Sequence, residues 1–127
     1  MANILVVDDD AANRLLLTTI LEHHAHAVVE CADGASASAA LDRRRPDLII
    51  ADMQMPGVDG LEFIRLLRED ARHDRVAILL HTATAEDDAL HNLVRAYRID
   101  GILPKPSEPD QVLRAVEAAL ARLSERA

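Results

Sequence analysis

Aromatic side chains are scarce in this sequence of 127 residues: Phe63 and Tyr97 are the only two, and tryptophan is absent. Recognition by stacking bases on aromatic faces is thereby excluded. Basic stripes are missing as well. No run of Lys and Arg is long enough to follow a phosphate backbone, and the net charge is −8, so direct binding of nucleic acid is not expected. Cys31 is the single cysteine, which excludes a disulfide framework. No apolar stretch approaches the length that spans a bilayer and no signal peptide precedes Asn3, so a cytoplasmic protein away from membranes is expected. With half the residues hydrophobic and so few rings, the core has to be aliphatic. The length suits one domain over residues 1–127, large enough to bury a core without disulfide or structural metal.

What is present is an alternation of short aliphatic runs with helical stripes, the pattern of βαβ units. Residues 4–7, 27–31, 48–52, 76–82 and 102–104 read as strands. Unbroken apolar runs of this length suit a parallel sheet buried on both faces. Leu16, Leu17, Ile20, Leu21 and His24 recur at helical spacing and predict a first helix ending near residues 23–26. Asp33-Gly34 turns the chain into a second, Ala/Ser-rich helix over residues 35–41, with Arg43-Arg44-Arg45 at its solvated end. Leu61, Ile64 and Leu67 are expected to face inward from a third helix. Glu86, Asp87 and Asp88 open a fourth, whose inner stripe is Leu90, Leu93, Val94 and Tyr97. Ser107 and Asp110, with Pro109 between, predict the cap of a fifth carrying Val112, Leu113, Val116, Leu120 and Leu123.

Four of the aliphatic runs end on residues suited to phosphate or a hard cation. The first stops at Asp8-Asp9-Asp10, the third at Asp52, the fourth at Thr82 and the fifth at Lys105. In open α/β sheets ligands bind beyond the carboxyl ends of the strands, so these groups should converge. Clustered carboxylates repel one another and call for a counter-charge. An oxygen-only donor set without His or Cys is the one Mg²⁺ takes, while keeping several waters. A carboxylate can also act as nucleophile towards a phosphoryl group, and Asp52 with Lys105 and a cation could supply that chemistry.

These elements together resemble the response-regulator receiver domains of two-component signalling. The likeness rests on Leu5-Val6-Val7-Asp8-Asp9, on residues 52–60 (Asp52 to Gly60), on Thr82-Ala83 and on Lys105-Pro106, and it covers essentially the whole chain. It implies a flavodoxin-like, doubly wound α/β fold of five parallel strands in the order 2-1-3-4-5 with five flanking helices. Asp52 would be the phosphoacceptor. Asp9 and Asp52 would bind Mg²⁺ directly, Asp8 through water, and Gln54 through its backbone carbonyl. Thr82 and Lys105 would each meet a phosphoryl oxygen, and the bond from Lys105 to Pro106 would be cis. Pro56, Gly57 and Gly60 shape the loop beyond Asp52. Implied partners are a histidine kinase or histidine phosphotransfer protein upstream, and an effector protein or attached output domain downstream. The domain itself would be a monomer or weak dimer that signals through the surface of helix 4, strand 5 and helix 5 without being a conventional enzyme.

Departures from the family pattern are informative. Ile102 stands where many receivers have Tyr or Phe, so a swinging ring cannot report the switch here. Arg98 stands where Gly usually closes the fourth helix, and that helix is expected to end differently. By the resemblance, Gln54 and Thr84 would hold the positions that tune hydrolysis of the aspartyl phosphate. Asp10 has no family role and is expected to be solvated. His23, His24 and His26 read as surface residues at a helix end, and His81 as a buried or edge-packed histidine rather than a catalytic one. Three other functions share parts of this vocabulary: a haloacid-dehalogenase-like, Mg-dependent phosphohydrolase using Asp8-x-Asp10, a flavodoxin-like cofactor binder, and a receiver-like interaction module that is never phosphorylated.

Overall fold

The computed structural model describes residues 1–53, 60–83 and 88–125. Among them, strands β1 (Asn3–Val7), β2 (Ala27–Cys31), β3 (Leu48–Asp52), β4 (Ala77–Thr82) and β5 (Gly101–Pro104) alternate with helices α1 (Ala11–His23), α2 (Gly34–Arg43), α3 (Gly60–Glu69), α4 (Asp88–Ala96) and α5 (Pro109–Glu125). The sheet has the predicted order β2-β1-β3-β4-β5 with every neighbouring pair parallel. Side chains of alternate parity point to opposite faces. Ile4, Val6, Leu48, Ile50, Ala77 and Leu79 pack with α1 and α5 on one face. Leu5, Val7, Ile49, Ala51, Ile78 and Leu80 pack with α2, α3 and α4 on the other. Strands β3 and β4 are therefore buried at every position, whereas edge strand β2 is exposed along most of its length.

Several helical faces differ from expectation. Leu17, Ile20 and Leu21 are buried, but Leu16 is 50% exposed and His24 is exposed. Leu16 lies a step around the helix from the centre of the stripe, and His24 sits past the last turn, where its Nδ1 lies 3.1 Å from the Ile20 carbonyl. On α3 the buried positions are Phe63, Ile64 and Leu67, and Leu61 is only partly covered. Helix α5 is capped one residue later than predicted. Glu108 precedes Pro109, and the Gln111 side chain reaches back to accept from the Glu108 amide at 2.8 Å, while the Ser107 hydroxyl donates to the Pro104 carbonyl. Pro109 thus occupies the first helical position, where its missing N–H costs nothing.

The end of α4 corrects a further expectation. Arg98 adopts φ 54°, and α4 closes as glycine-capped helices do: the Ile99 amide donates to Val94 and the Arg98 amide to Arg95. A left-handed non-glycine residue costs about 1–2 kcal/mol. Arg68, nearly buried on α3, offsets that strain. Its guanidinium donates to the carbonyls of Tyr97 (2.9 Å), Arg98 (2.9 Å), Asp74 (3.0 Å) and Val76 (2.7 Å). Buried Asp100 lies 3.9 Å from the same guanidinium and accepts from the Ile78 amide at 2.8 Å. The helix ends where the carbonyls of Tyr97 and Arg98 share one charged donor with those of Asp74 and Val76. Helix α1 closes in the same manner through Ala25, at φ 67°.

Candidate functional site

Strand register builds one rim. Val7 pairs with Ala51, Asp52 with His81 and Thr82 with Pro104, so Asp8, Asp52, Thr82 and Lys105 emerge side by side at the carboxyl end of the sheet. Asp8, Asp52 and His81 share the parity of Ile50 and Leu79 and continue the α1/α5 face. Carboxylate oxygens of Asp8, Asp9 and Asp52 lie within 4.8 Å of one another, with Asp8 and Asp52 buried and Asp9 exposed. Lys105 bridges the two buried acids: its Nζ is 3.1 Å from Asp8 Oδ2 and 3.3 Å from Asp52 Oδ2. The Lys105-Pro106 bond is cis, as the resemblance implied. Lys105 is also the only lysine in the sequence.

The backbone around the rim holds these groups in place. Asp8 Oδ1 accepts from the Asp10 amide at 2.8 Å, and the Asp8 carbonyl accepts from Arg14 Nη1 at 2.6 Å. Asp10 is exposed, as expected, and it also has a structural task. It caps α1, accepting from the amides of Ala12 (2.8 Å) and Asn13 (3.2 Å). Gly60 opens α3 against the backbone of β3, its amide donating to the Met53 carbonyl at 2.9 Å. A Cβ on Gly60 would stand 2.0 Å from the Asp52 carbonyl oxygen, so only glycine fits there. Thr82 is buried at the end of β4, and its carbonyl accepts from the Lys105 amide at 2.9 Å. Pro106 is exposed beside it, and Ile102 is partly buried against the α2/α3/α4 face. Gln54, Gly57, Thr84, Glu86 and Asp87 lie outside the described residues.

His81 is the residue that the sequence reading underestimated. It is buried, as expected, but its Nδ1 is 3.9 Å from Asp8 Oδ2. Burial, reinforced by the neighbouring Lys105 ammonium and opposed by Asp8, holds its imidazole down to about 4, so the ring is neutral at physiological pH. Its pairing with Asp52 follows from the register of β3 with β4, for which the sequence carries no signal. The other histidines near α1 do not form a metal cluster among the described residues. His26 Nδ1 instead accepts from the Ala2 amide at 3.1 Å, and burial followed by the nearby α-amino charge lowers its pKa.

All-oxygen donors, two of them buried, suit a hard divalent cation. Three carboxylates against one ammonium leave an excess of negative charge that such a cation would neutralise. Asp8, Asp9 and Asp52 are the residues that fit it.

Comparison with known proteins gives the family. Residues 4–117 match the response regulator receiver domain family. Protein PilH of Pseudomonas aeruginosa is 32% identical over 122 residues, which cover 95% of this chain and 99% of PilH. The phosphate regulon transcriptional regulatory protein PhoB of Escherichia coli is 33% identical over 122 residues, but the match spans only 52% of PhoB. Among solved structures, the chemotaxis response regulator CheY4 of Vibrio cholerae superposes with a TM-score of 0.87 at 29% identity, covering 94% of this chain and 98% of that one. NtrX of Brucella abortus gives 0.90 at 26% identity, covering 98% of this chain and 28% of NtrX. This chain belongs to the response regulator receiver domain family. It is a signalling domain of the two-component type, in a family that generally binds Mg²⁺ and works between kinases and output modules.

Proposed function

We propose that this chain accepts a phosphoryl group on Asp52 from a histidine kinase or a histidine phosphotransfer protein in the cytoplasm. A bound Mg²⁺, held by Asp9 and Asp52, by Asp8 through water and by the Gln54 carbonyl, would supply positive charge beside the phosphoryl oxygens. The observation that carries the reading is the pairing of two buried carboxylates, Asp8 and Asp52, with one shared ammonium at the rim of the sheet. In the reaction, an Asp52 carboxylate oxygen attacks phosphorus, the P–N bond to the donor imidazole breaks, and the imidazole nitrogen leaves with its electron pair. Lys105 and the Thr82 hydroxyl then meet the oxygens of the acyl phosphate. A protein donor fits the surroundings. Leu15 and Leu16 on α1 are 62% and 50% exposed, and Leu16 lines a cavity of about 280 Å³ with His81, Lys105 and Pro106. A partner covering these apolar groups would exclude water at the moment of transfer.

The signal then passes to an effector or output domain through α4, β5 and α5. Because Ile102 carries no ring to swing, the segment after Thr82 and α4 carry most of the response. Binding of beryllofluoride should therefore move the amide resonances of residues 83–98, and unchanged shifts there would remove this route. A phosphohydrolase reading is disfavoured by Asp10, whose carboxylate is engaged at the start of α1 and not in the cluster.

The central test is mass spectrometry after incubation with acetyl phosphate and Mg²⁺. The parent should gain one phosphoryl group and Asp52→Asn should not. Equal labelling of both proteins, or an unlabelled parent that also fails to bind beryllofluoride, would overturn the assignment.

A further inference from the structure

Asp8 is about 1% exposed, and its two oxygens are served unequally. Oδ1 has the Asp10 amide, whereas no hydrogen bond reaches Oδ2. The Lys105 ammonium at 3.1 Å supplies charge to Oδ2 but is divided between Asp8 and Asp52 and is not aligned as a donor. On the phosphoacceptor reading, from which this inference follows, Lys105 has to turn towards the phosphoryl oxygens once Asp52 is modified. Asp8, which would meet Mg²⁺ only through water, would then lose the one direct cationic contact of its buried Oδ2, a cost that a further donor would lower.

A replacement stands on the adjacent strand. His81 Nδ1 is 3.9 Å from Asp8 Oδ2, is buried, and makes no hydrogen bond of its own. A neutral imidazole carries one N–H, which either ring nitrogen can hold. Closing the gap to the usual N–H···O distance needs a movement of about 1 Å. His81 also borders the cavity lined by Asn13, Leu16, Leu17 and Val112, so its ring is not packed on every side.

We propose that His81 is a positioning residue that takes over Asp8 Oδ2 when Lys105 moves to the phosphoryl group. Held this way, Asp8 keeps its orientation in the phosphorylated state without a second cation in the site. The role needs a donor at the Nδ1 position and no change in charge, so His81→Asn should substitute for it and His81→Leu should not.

Two measurements on the full chain test the exchange. Nitrogen-15 NMR of the His81 ring is recorded with Mg²⁺ before and after saturation with beryllofluoride, which mimics the phosphoryl group. The expected result is a shift to the Nδ1–H tautomer with a slowed, hydrogen-bonded proton. Beryllofluoride affinity should fall about tenfold in His81→Leu and recover in His81→Asn. If the parent binds beryllofluoride while its imidazole spectrum stays unchanged, the inference fails and the phosphoacceptor reading stands. Affinity of His81→Leu equal to that of the parent has the same meaning. If the parent binds no beryllofluoride at all, both fall together.

Discussion

Gly60 and His26 show how much single positions decide here. At Gly60 the obstacle is backbone: an added methyl meets the Asp52 carbonyl at 2.0 Å and Met53 Cα at 2.7 Å. Neither can yield without moving the acceptor strand. Gly60→Ala should destabilise the fold by about 2–3 kcal/mol, read from urea unfolding, and should lower Mg²⁺ affinity because the Asp52 carboxylate moves with its backbone. His26 acts through protons. Its pKa in the folded chain lies below the ordinary 6.5, so the unfolded chain takes up a proton first as pH falls. The resulting stabilisation is complete above 6.5 and is lost as pH drops through the lowered value. Urea midpoints from pH 8 to pH 5 should therefore fall less steeply in His26→Gln than in the parent. Asp52, Thr82 and Lys105 were legible in the sequence because each ends an aliphatic run, and parallel strands deliver such ends to one rim. His81 was not, because its neighbour across the sheet depends on the register of β3 with β4, which no residue pattern states.

The elements follow from periodicity, and their ends do not. Strands β1, β3 and β4 are readable as continuous apolar runs because helices cover both of their faces. The helix closures at Ala25 and Arg98 contradict residue preference, since glycine is the usual occupant of a left-handed cap. At Arg98 the grip of Arg68 explains the exception, and its acceptors come from separate stretches of chain that no local pattern would connect. At Ala25 no comparable grip exists among the described residues, so relief should be visible. Ala25→Gly should raise stability by about 0.5–1 kcal/mol, the left-handed cost less the added freedom of the unfolded chain. Thermal unfolding of the two proteins measures it. The shift of the α5 cap from Ser107 to Glu108 has a similar origin: the Ser107 hydroxyl is taken by the Pro104 carbonyl, a contact that residue preference does not state.

For the molecule as a whole, the carboxyl rim concentrates negative charge on a chain that already carries −8. Folding must hold Asp8, Asp9 and Asp52 together against their repulsion, and Lys105 answers only part of it. A cation that binds only the folded chain should therefore stabilise it. Mg²⁺ at a hundred times its dissociation constant adds about 2.7 kcal/mol, so the melting temperature should rise with Mg²⁺, return on chelation, and respond far less in Asp9→Asn. The same economy of cations has a chemical side. Because Lys105 carries the only side-chain amine in the sequence, reagents that acylate lysines have no decoy on the surface of this protein. Acetylation or ester-activated labelling of a side chain would fall on the residue that bridges Asp8 and Asp52, leaving two buried acids without their counter-ion. Apart from the α-amino group, amine chemistry has this one target, and its modification should abolish the labelling proposed for Asp52.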